Sequence, residues 1–193
     1  MIANHDRSGW FGASDTHYVV GSFDTRTFVA WWLTKTGAIH QSFSSKAMNA
    51  GTYYEHKVLD AIGVTKMDRQ IKLRRLRLRV NLDGETSDRI FEVKTHKSEK
   101  PIVKKEYWQQ AQVQSFATKK PVSIVFYRVT EEEYDNFFLP IDRERIHVEK
   151  IQYDSEWVQK AYLPRLRYLA MCLRKRQTPS ESGYGRWINE IPD

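Results

Sequence analysis

A change of hydrophobic period midway along the chain most strongly limits the folds that it can adopt. Residues 74–80, RRLRLRV, alternate strictly between arginine and leucine or valine, which predicts a strand. Strands are also predicted for RIFEVKT at 89–95 and PVSIVFYRVT at 121–130, and residues 104–120 between them have the pattern of a helix. Two strands joined by a helix favour an α/β fold in which a mixed β-sheet is flanked by α-helices.

Helical patterns precede this unit. ASDTHYVVG predicts a short helix with Ser14 as its N-cap, and DTRTFVAWWLTKTG predicts a second helix. A longer helix is predicted from about residue 45 to 62, and Gly63 would end it. Within the unit, LDGE predicts a turn around Asp83 and Gly84. After the unit, EYDNFFLPID predicts an edge strand or loop, followed by an amphipathic helix and a tail.

The composition sets further limits. The 193-residue chain is 40% hydrophobic, which suits one domain over residues 1–193, with the closing helix and tail at 155–193. A net charge of +7 favours a polyanionic partner. Cys172 is the one cysteine, which excludes an intrachain disulfide and a cysteine-based metal site within one chain. No apolar run has the length of a membrane span and the first residues lack a signal-peptide core, so we expect no membrane partner and a cytoplasmic location.

The run RIFEVKT carries two charges among apolar residues. Glu92 and Lys94 are two positions apart and project from one face of the predicted strand. Asp83 lies nine residues before Glu92 and approaches it if the two strands pair as a hairpin. Two carboxylates, with the Val93 carbonyl, can hold a hard cation such as Mg²⁺, and the lysine can orient a water, which suits phosphodiester hydrolysis. The alternative is a charged pair on a solvated strand face.

A third acid, Glu55, shares one face of the long helix with Val58, Leu59 and Ile62. We therefore expect Glu55 on or beside the buried stripe, where an acid needs a cation or a metal as its partner. The alternative is a glutamate at the edge of the core that pairs with an arginine.

The helix after RIFEVKT has a polar stripe. Tyr107, Gln110 and Gln114 are three and seven positions apart along one face. Glutamines that face a site can orient a water or a phosphate without adding charge. The alternative is a polar face exposed to solvent.

In this order, the elements resemble the lambda-exonuclease/YqaJ-like viral recombinase branch of the PD-(D/E)xK nuclease superfamily. The segments that carry the resemblance are RSGWFGASD, GTYYE, LDG, EVK and YWQQAQ. They span about residues 7–130, and Leu82 stands where the family motif has proline. The resemblance implies a restriction-endonuclease-like fold and a Mg²⁺-dependent deoxyribonuclease in which Mn²⁺ can substitute. It also implies 5′ to 3′ exonuclease action on duplex DNA ends in phage recombination, in a bacterial or phage-infected cell.

The resemblance implies a role for each matching acid and its neighbours. Asp83 and Glu92, with the Val93 carbonyl, would ligate Mg²⁺, and Glu55 would hold a second metal or its waters. Lys94 would activate the attacking water, and Gln110 would help to position it.

The resemblance implies that Arg7 and Ser14 contact the substrate phosphate at a 5′ end. Further residues are expected to contact DNA, most of them basic, because basic side chains bind phosphates without selecting a sequence. For Arg75 and Arg77 of RRLRLR, the alternative is a solvated sheet face that protects an edge. The complete group is Arg7, Ser14, Arg75, Arg77, Lys97, Lys104 and Tyr107.

The family also implies partners: double-stranded DNA ends, further copies of the chain in a dimer or trimer, and a single-strand annealing protein. Two alternatives to an exonuclease remain. One is a structure- or sequence-specific endonuclease on the same core. The other is a non-catalytic basic DNA-binding module or an assembly protein.

Overall fold

Five strands form one mixed sheet in the computed structural model, which describes residues 8–39 and 46–190. In chain order and in spatial order the strands are β1 (Lys66–Leu73), β2 (Leu78–Glu85), β3 (Ile90–His96), β4 (Val122–Arg128) and β5 (Ile146–Ile151). Neighbours run antiparallel except β3 and β4, which are parallel and therefore need a crossover between them. That crossover contains a helix, which confirms the predicted strand–helix–strand unit and the α/β fold.

Helices flank the sheet, and a π-helical turn at Val158–Tyr162 joins two of them into one long element. Among the residues that the structure describes, no helix is both long and apolar enough to cross a lipid bilayer. The helices are α1 (Thr16–Val20), α2 (Arg26–Lys35), α3 (Lys46–Ala61), α4 (Lys105–Thr118), α5 (Glu131–Asp135), α6 (Ser155–Trp157), α7 (Leu163–Lys175) and α8 (Glu181–Glu190).

The two faces of the sheet bury separate apolar cores. Val122 belongs to one core, and Val125 and Tyr127 belong to the other, as the alternation of side chains along β4 requires. The first core includes the aromatic residues of α2 and the buried faces of α4 and α7, whereas α3 covers the opposite face. At Gly84 of β2, an added Cβ would lie 2.7 Å from Leu59 Cδ2, so a glycine is needed for α3 to pack this close to the sheet.

The predicted strand at 74–80 starts too early, because only residues 78–80 of it belong to β2, and the predicted turn at Asp83 is wrong. A 3₁₀ turn occupies Arg74–Leu76, and Arg77 has a left-handed φ of 51° before β2 begins. Asp83 and Gly84 therefore lie inside β2, and the chain turns after that strand. The sequence concealed the turn because arginine is not a turn residue and the alternation continues through it.

Three smaller expectations are corrected wholly or in part. Ser14 is not an N-cap, because it lies inside a 3₁₀ turn at Ala13–Asp15 that Gly12 precedes. In the segment EYDNFFLPID, residues 133–135 end α5 and residues 136–142 form a loop, which was one of the two predicted alternatives, and the later β5 is the edge strand on this side of the sheet. The tail forms α8, which docks through Trp187 against Tyr168 with their ring centroids 5.6 Å apart.

Candidate active site

β2 and β3 separate at the acidic residues. Their pairing stops after Gly84 and Phe91, and one register position further Asp83 lies opposite Glu92. Instead of a backbone partner, the N–H of Val93 donates to Oδ2 of Asp83 at 2.8 Å. A strand residue directs its N–H and C=O to the same side, so the Val93 carbonyl also faces the gap. The expected approach of Asp83 to Glu92 is present, although it arises inside the strands rather than at a turn.

Glu92 is held by donors from two elements. It is 3% exposed, and its Oε1 accepts hydrogen bonds from Lys94 Nζ at 2.7 Å and from Gln110 Nε2 at 2.5 Å. Its Oε2 accepts a hydrogen bond from Gln114 Nε2 at 2.5 Å. Lys94 Nζ also donates to Oε1 of Gln110 at 3.2 Å. The polar stripe of α4 therefore faces this carboxylate and not solvent.

Glu55 approaches the same place from α3, and the charges influence one another. Burial, followed by the charge of Glu92, raises the pKa of Glu55 to about 7. Burial and the charges of Glu92 and Glu55 raise the pKa of Asp83 well above its ordinary value. Burial lowers the pKa of Lys94, but the charges of Glu92 and Asp83 outweigh that effect and the net direction is upward. More negative charge converges here than the single ammonium neutralises.

A second acidic group adjoins Glu55. His56 Nε2 lies 3.0 Å from Asp68 Oδ2, and one ligand atom from each of Glu55, His56 and Asp68 lies within 4.8 Å of the others. Asp68 belongs to β1 at the register position opposite Asp83, and its φ of 58° is left-handed. Such a backbone is uncommon for a residue other than glycine. With Asp83 and Glu92, the acidic surface therefore extends across four elements, α3, β1, β2 and β3.

These donors fit a hard divalent cation. The available ligands are carboxylate oxygens and a strand carbonyl, which are the types that Mg²⁺ takes. Oε1 of Glu92 already accepts two hydrogen bonds and Oε2 accepts one, which leaves Oε2 with acceptor capacity. Asp83 uses Oδ2 for the Val93 N–H. A cation would also offset the repulsion that raises the pKa values of Glu55 and Asp83.

One cleft of about 410 Å³ is lined by most of these side chains, namely Glu55, His56, Asp68, Asp83, Glu92, Lys94 and Gln110, whereas Gln114 and Val93 are not part of its lining. The same cleft is also lined by Trp10 and Ser14 of the first described segment and by Arg79 of β2. Ser14 is exposed and reaches the cleft, as expected for a residue that contacts substrate.

Asp15 anchors the segment that carries Ser14. Oδ2 of Asp15 accepts a hydrogen bond from the Gly12 N–H at 2.7 Å and lies 2.6 Å from Lys35 Nζ. Oδ1 accepts a hydrogen bond from Trp31 Nε1 at 3.1 Å. Both members of the ion pair are buried, so the pair fixes the turn firmly against α2.

The residues predicted to contact DNA divide into two sets. Tyr107 lies beside the site, with its ring centroid 5.1 Å from Lys94 Nζ and 5.6 Å from Lys104 Nζ. Lys97 instead pairs with Glu131 at 2.8 Å on the exposed surface.

The remaining predicted DNA contacts lie elsewhere. Arg75 and Arg77 line a separate cleft with Trp10, and not a flat strand face. Arg7 lies outside the residues that the structure describes.

The sequence analysis did not single out three residues at or behind the site, His56, Asp68 and Asp15, and it did not predict the hydrogen bond of Gln114 to Glu92. For His56, the sequence offered one signal, its position directly after Glu55. Nothing local marked Asp68 or Asp15, because each joins its partners through the tertiary fold.

Comparisons with known proteins show the family and the fold to which this chain is similar. A family model described as the YqaJ-like viral recombinase domain matches residues 4–121. The crystal structure of an alkaline exonuclease from Laribacter hongkongensis is similar, with 16% identity, a TM-score of 0.60, and coverage of 95% of this chain and 94% of that chain. A phage-related exonuclease from Haemophilus somnus is also similar, with 15% identity, a TM-score of 0.56, and coverage of 95% and 96%. At these identities the structural likeness establishes a shared fold. The comparison with curated proteins gave no significant match.

Proposed function

The chain belongs to the YqaJ-like viral recombinase family, and from that premise we propose that it is a Mg²⁺-dependent deoxyribonuclease in which Mn²⁺ can substitute. The observation that carries the proposal is the convergence of Glu55, Asp83, Glu92 and Lys94 in one cleft. Acids and a lysine so placed are suited to a reaction in which negative charge develops on a phosphate. A basic DNA-binding module needs no such buried acids, which would repel its ligand.

The side chains divide the work between holding the metal and orienting the reactants. Asp83 and Glu92, with the Val93 carbonyl, would hold the cation, and Glu55 would hold a second cation or its waters. When bound, the cation would neutralise charge on the scissile phosphate and make an attacking water more acidic. Lys94 is fixed by Glu92 and Gln110, and the upward direction of its pKa keeps it an ammonium. It therefore acts as a hydrogen-bond donor and a positive charge that orients the water and the phosphate.

We propose exonuclease action on ends of duplex DNA, in the 5′ to 3′ direction, as part of phage-type recombination. Support comes from the family and from the names of the two similar structures, an alkaline exonuclease and a phage-related exonuclease. Ser14 at the cleft, with Arg7 before it in the chain, would contact the terminal phosphate. Assembly into a dimer or trimer and a single-strand annealing partner belong to the same proposal.

The test uses linear duplexes labelled at the 5′ or 3′ end beside covalently closed circles, each with EDTA, Mg²⁺ or Mn²⁺. The proposal expects metal-dependent loss of 5′ label from linear DNA and intact circles. Nicking or linearisation of the circles would instead identify an endonuclease on this core. DNA binding without hydrolysis under any metal would identify a binding module and refute the enzymatic proposal.

A further inference from the structure

A second cleft adjoins the acidic one and has the opposite charge. It has a volume of about 460 Å³ and is lined by four arginines and one tryptophan, namely Trp10, Arg74, Arg75, Arg77 and Arg174. Trp10 also lines the acidic cleft, so the two clefts share a wall. A ligand that extends out of the acidic cleft past Trp10 therefore enters the arginine cleft.

Among the residues that the structure describes, 8–39 and 46–190, none of the four arginines of this cleft forms an ion pair with an acid, and the ion pairs of arginine there involve other residues. Lys72 adds a further cation, with its Nζ 5.6 Å from the ring centroid of Trp10. An unneutralised cluster of this kind repels itself and attracts polyanions. Guanidinium groups bind phosphate through two parallel hydrogen bonds, so a sugar–phosphate backbone suits them.

Contacts between distant segments hold the cleft in shape. The Phe11 N–H donates to the Arg77 carbonyl at 2.8 Å, and the Arg79 N–H donates to the Phe11 carbonyl at 2.8 Å. This parallel bridge fixes the position of Trp10 relative to the 3₁₀ turn. From the end of α7, Arg174 donates to the carbonyl of Arg75 at 3.1 Å. The cleft is thus built by the fold, and its ligand would meet preplaced donors.

Trp10 restricts the kind of nucleic acid that fits. Its side chain is only partly buried, so part of the indole is accessible between the two clefts. Aromatic side chains beside basic grooves bind single strands because unpaired bases stack on them. Bases inside a duplex are already stacked and cannot reach such a ring.

We propose that Trp10 and the surrounding arginines form a subsite for a short unpaired stretch of DNA next to the end held in the acidic cleft. This inference rests on the proposed function, because the acidic cleft is taken to hold the terminal phosphodiester. The unpaired stretch would come either from the strand being cut or from its complement, and both offer the same phosphates and bases.

The test is a binding measurement that needs no cleavage. Short labelled duplexes with a blunt end, a 5′ overhang or a 3′ overhang are titrated with the full chain in EDTA, and fluorescence anisotropy is followed at several salt concentrations. The wild type is expected to bind one of the overhang duplexes more tightly than the blunt duplex, and the preferred overhang identifies the strand. Equal binding of all three duplexes overturns the proposal.

Variants locate the effect. Arg75→Ala and Arg174→Ala should each make binding of the duplex with the preferred overhang less dependent on salt. The slope of log K, the association constant, against log salt concentration is expected to fall in magnitude by about 0.7, and binding of the blunt duplex should not change. Trp10→Leu should weaken overhang binding by roughly 5-fold or more, whereas Trp10→Phe should retain it. Arg143→Ala, an arginine outside both clefts, is the matched control. Equal losses on blunt and overhang duplexes overturn the proposal.

Two readouts separate this proposal from the proposed function. If Trp10→Leu melts at a lower temperature than the wild type, that variant is set aside. The test then rests on Arg75→Ala and Arg174→Ala, which change exposed residues. Hydrolysis is measured separately with Mg²⁺. A wild type that cleaves DNA but binds all ends equally refutes the subsite and leaves the nuclease. A wild type that binds overhangs through these residues but never cleaves supports the subsite and refutes the nuclease.

Discussion

The side-chain amide of Gln114 donates to Oε2 of Glu92 at 2.5 Å, one helical turn beyond Gln110, which donates to Oε1 at 2.5 Å. Two glutamines of α4 therefore fix both oxygens of one carboxylate from β3. Neutral donors can hold a carboxylate in place without cancelling the charge that a cation needs. This relationship explains why a helix beside the sheet buries glutamines where apolar residues would otherwise pack.

Gln114→Leu is expected to lower the rate of DNA cleavage by about 10- to 100-fold and to raise the Mg²⁺ concentration required for half-maximal rate. The substitution removes the donor to Glu92 and leaves the carboxylate free to turn away. Cleavage rates measured across a Mg²⁺ titration test it. Gln112→Leu is the matched control, because Gln112 lies on the same helix but binds Gln152 and Asp154. The control should lose stability without changing the Mg²⁺ requirement, and equal behaviour of both variants would contradict the assigned role.

Lys94→Met is expected to reduce the cleavage rate by about 10²- to 10³-fold at saturating Mg²⁺, since it removes the ammonium that Glu92 and Gln110 hold. Lys94→Arg should not restore the rate, because the longer planar group cannot occupy the same hydrogen-bonded position. Single-turnover rates with labelled linear duplex measure the effect. Lys160→Met alters an exposed lysine paired with Glu156 and should cleave at the wild-type rate. Cleavage by Lys94→Met at a rate close to the wild type would remove Lys94 from the catalytic proposal.

The hydrophobic period of a single strand or helix was enough to predict which site residues share a face of that element. The two-residue period of β3 predicts that Glu92 and Lys94 share a face, and helical spacing places Glu55 beside the core. The order of the predicted elements then brings these side chains together, because the parallel pair β3 and β4 requires α4 to cross beside them.

Other parts depend on geometry that no local pattern carries. Asp68 approaches His56 with a backbone φ of 58°, and a strand pattern gives no sign of that conformation. Asp15 and Lys35 meet across a gap of 20 positions, through the packing of α2. The turn at Arg74–Leu76 was hidden because leucine and arginine continue to alternate through it. The sequence therefore did not predict the features that depend on long-range contacts or on uncommon backbone conformations.

Glu55→Gln is expected to make the EDTA-treated protein more stable at about pH 8. Glu55 has a pKa of about 7 in the fold against an ordinary value of 4.5, so the folded protein binds this proton more tightly than the unfolded chain. Stability from this group is therefore complete below about pH 4.5 and is lost as the pH rises through about 7. Melting temperatures across this range should fall less for the variant, by roughly 3 °C or more at the alkaline end.

Mg²⁺ provides a second arm of that experiment. If Glu55 helps to hold a cation, Mg²⁺ should raise the melting temperature of the wild type at about pH 8 more than that of Glu55→Gln. Glu156→Gln, a change at an exposed glutamate, should follow the wild type in both arms. A wild-type melting temperature that does not depend on pH in EDTA would show that the pKa of Glu55 is not raised in the folded protein.

Gly84→Ala is expected to destabilise the fold by about 1–3 kcal/mol and to slow cleavage. The new Cβ would lie 2.7 Å from Leu59 Cδ2 and 2.9 Å from Val64 Cγ1, so these packed side chains must shift, and we expect α3, which carries Leu59 and Glu55, to move away from β2. Urea denaturation and cleavage rates test the two effects. Gly185→Ala is the matched control, since nothing lies within 4 Å of its added Cβ and an alanine favours helix α8. Stability of Gly84→Ala equal to that of the wild type would show that α3 is not held at the distance on which the acidic site depends.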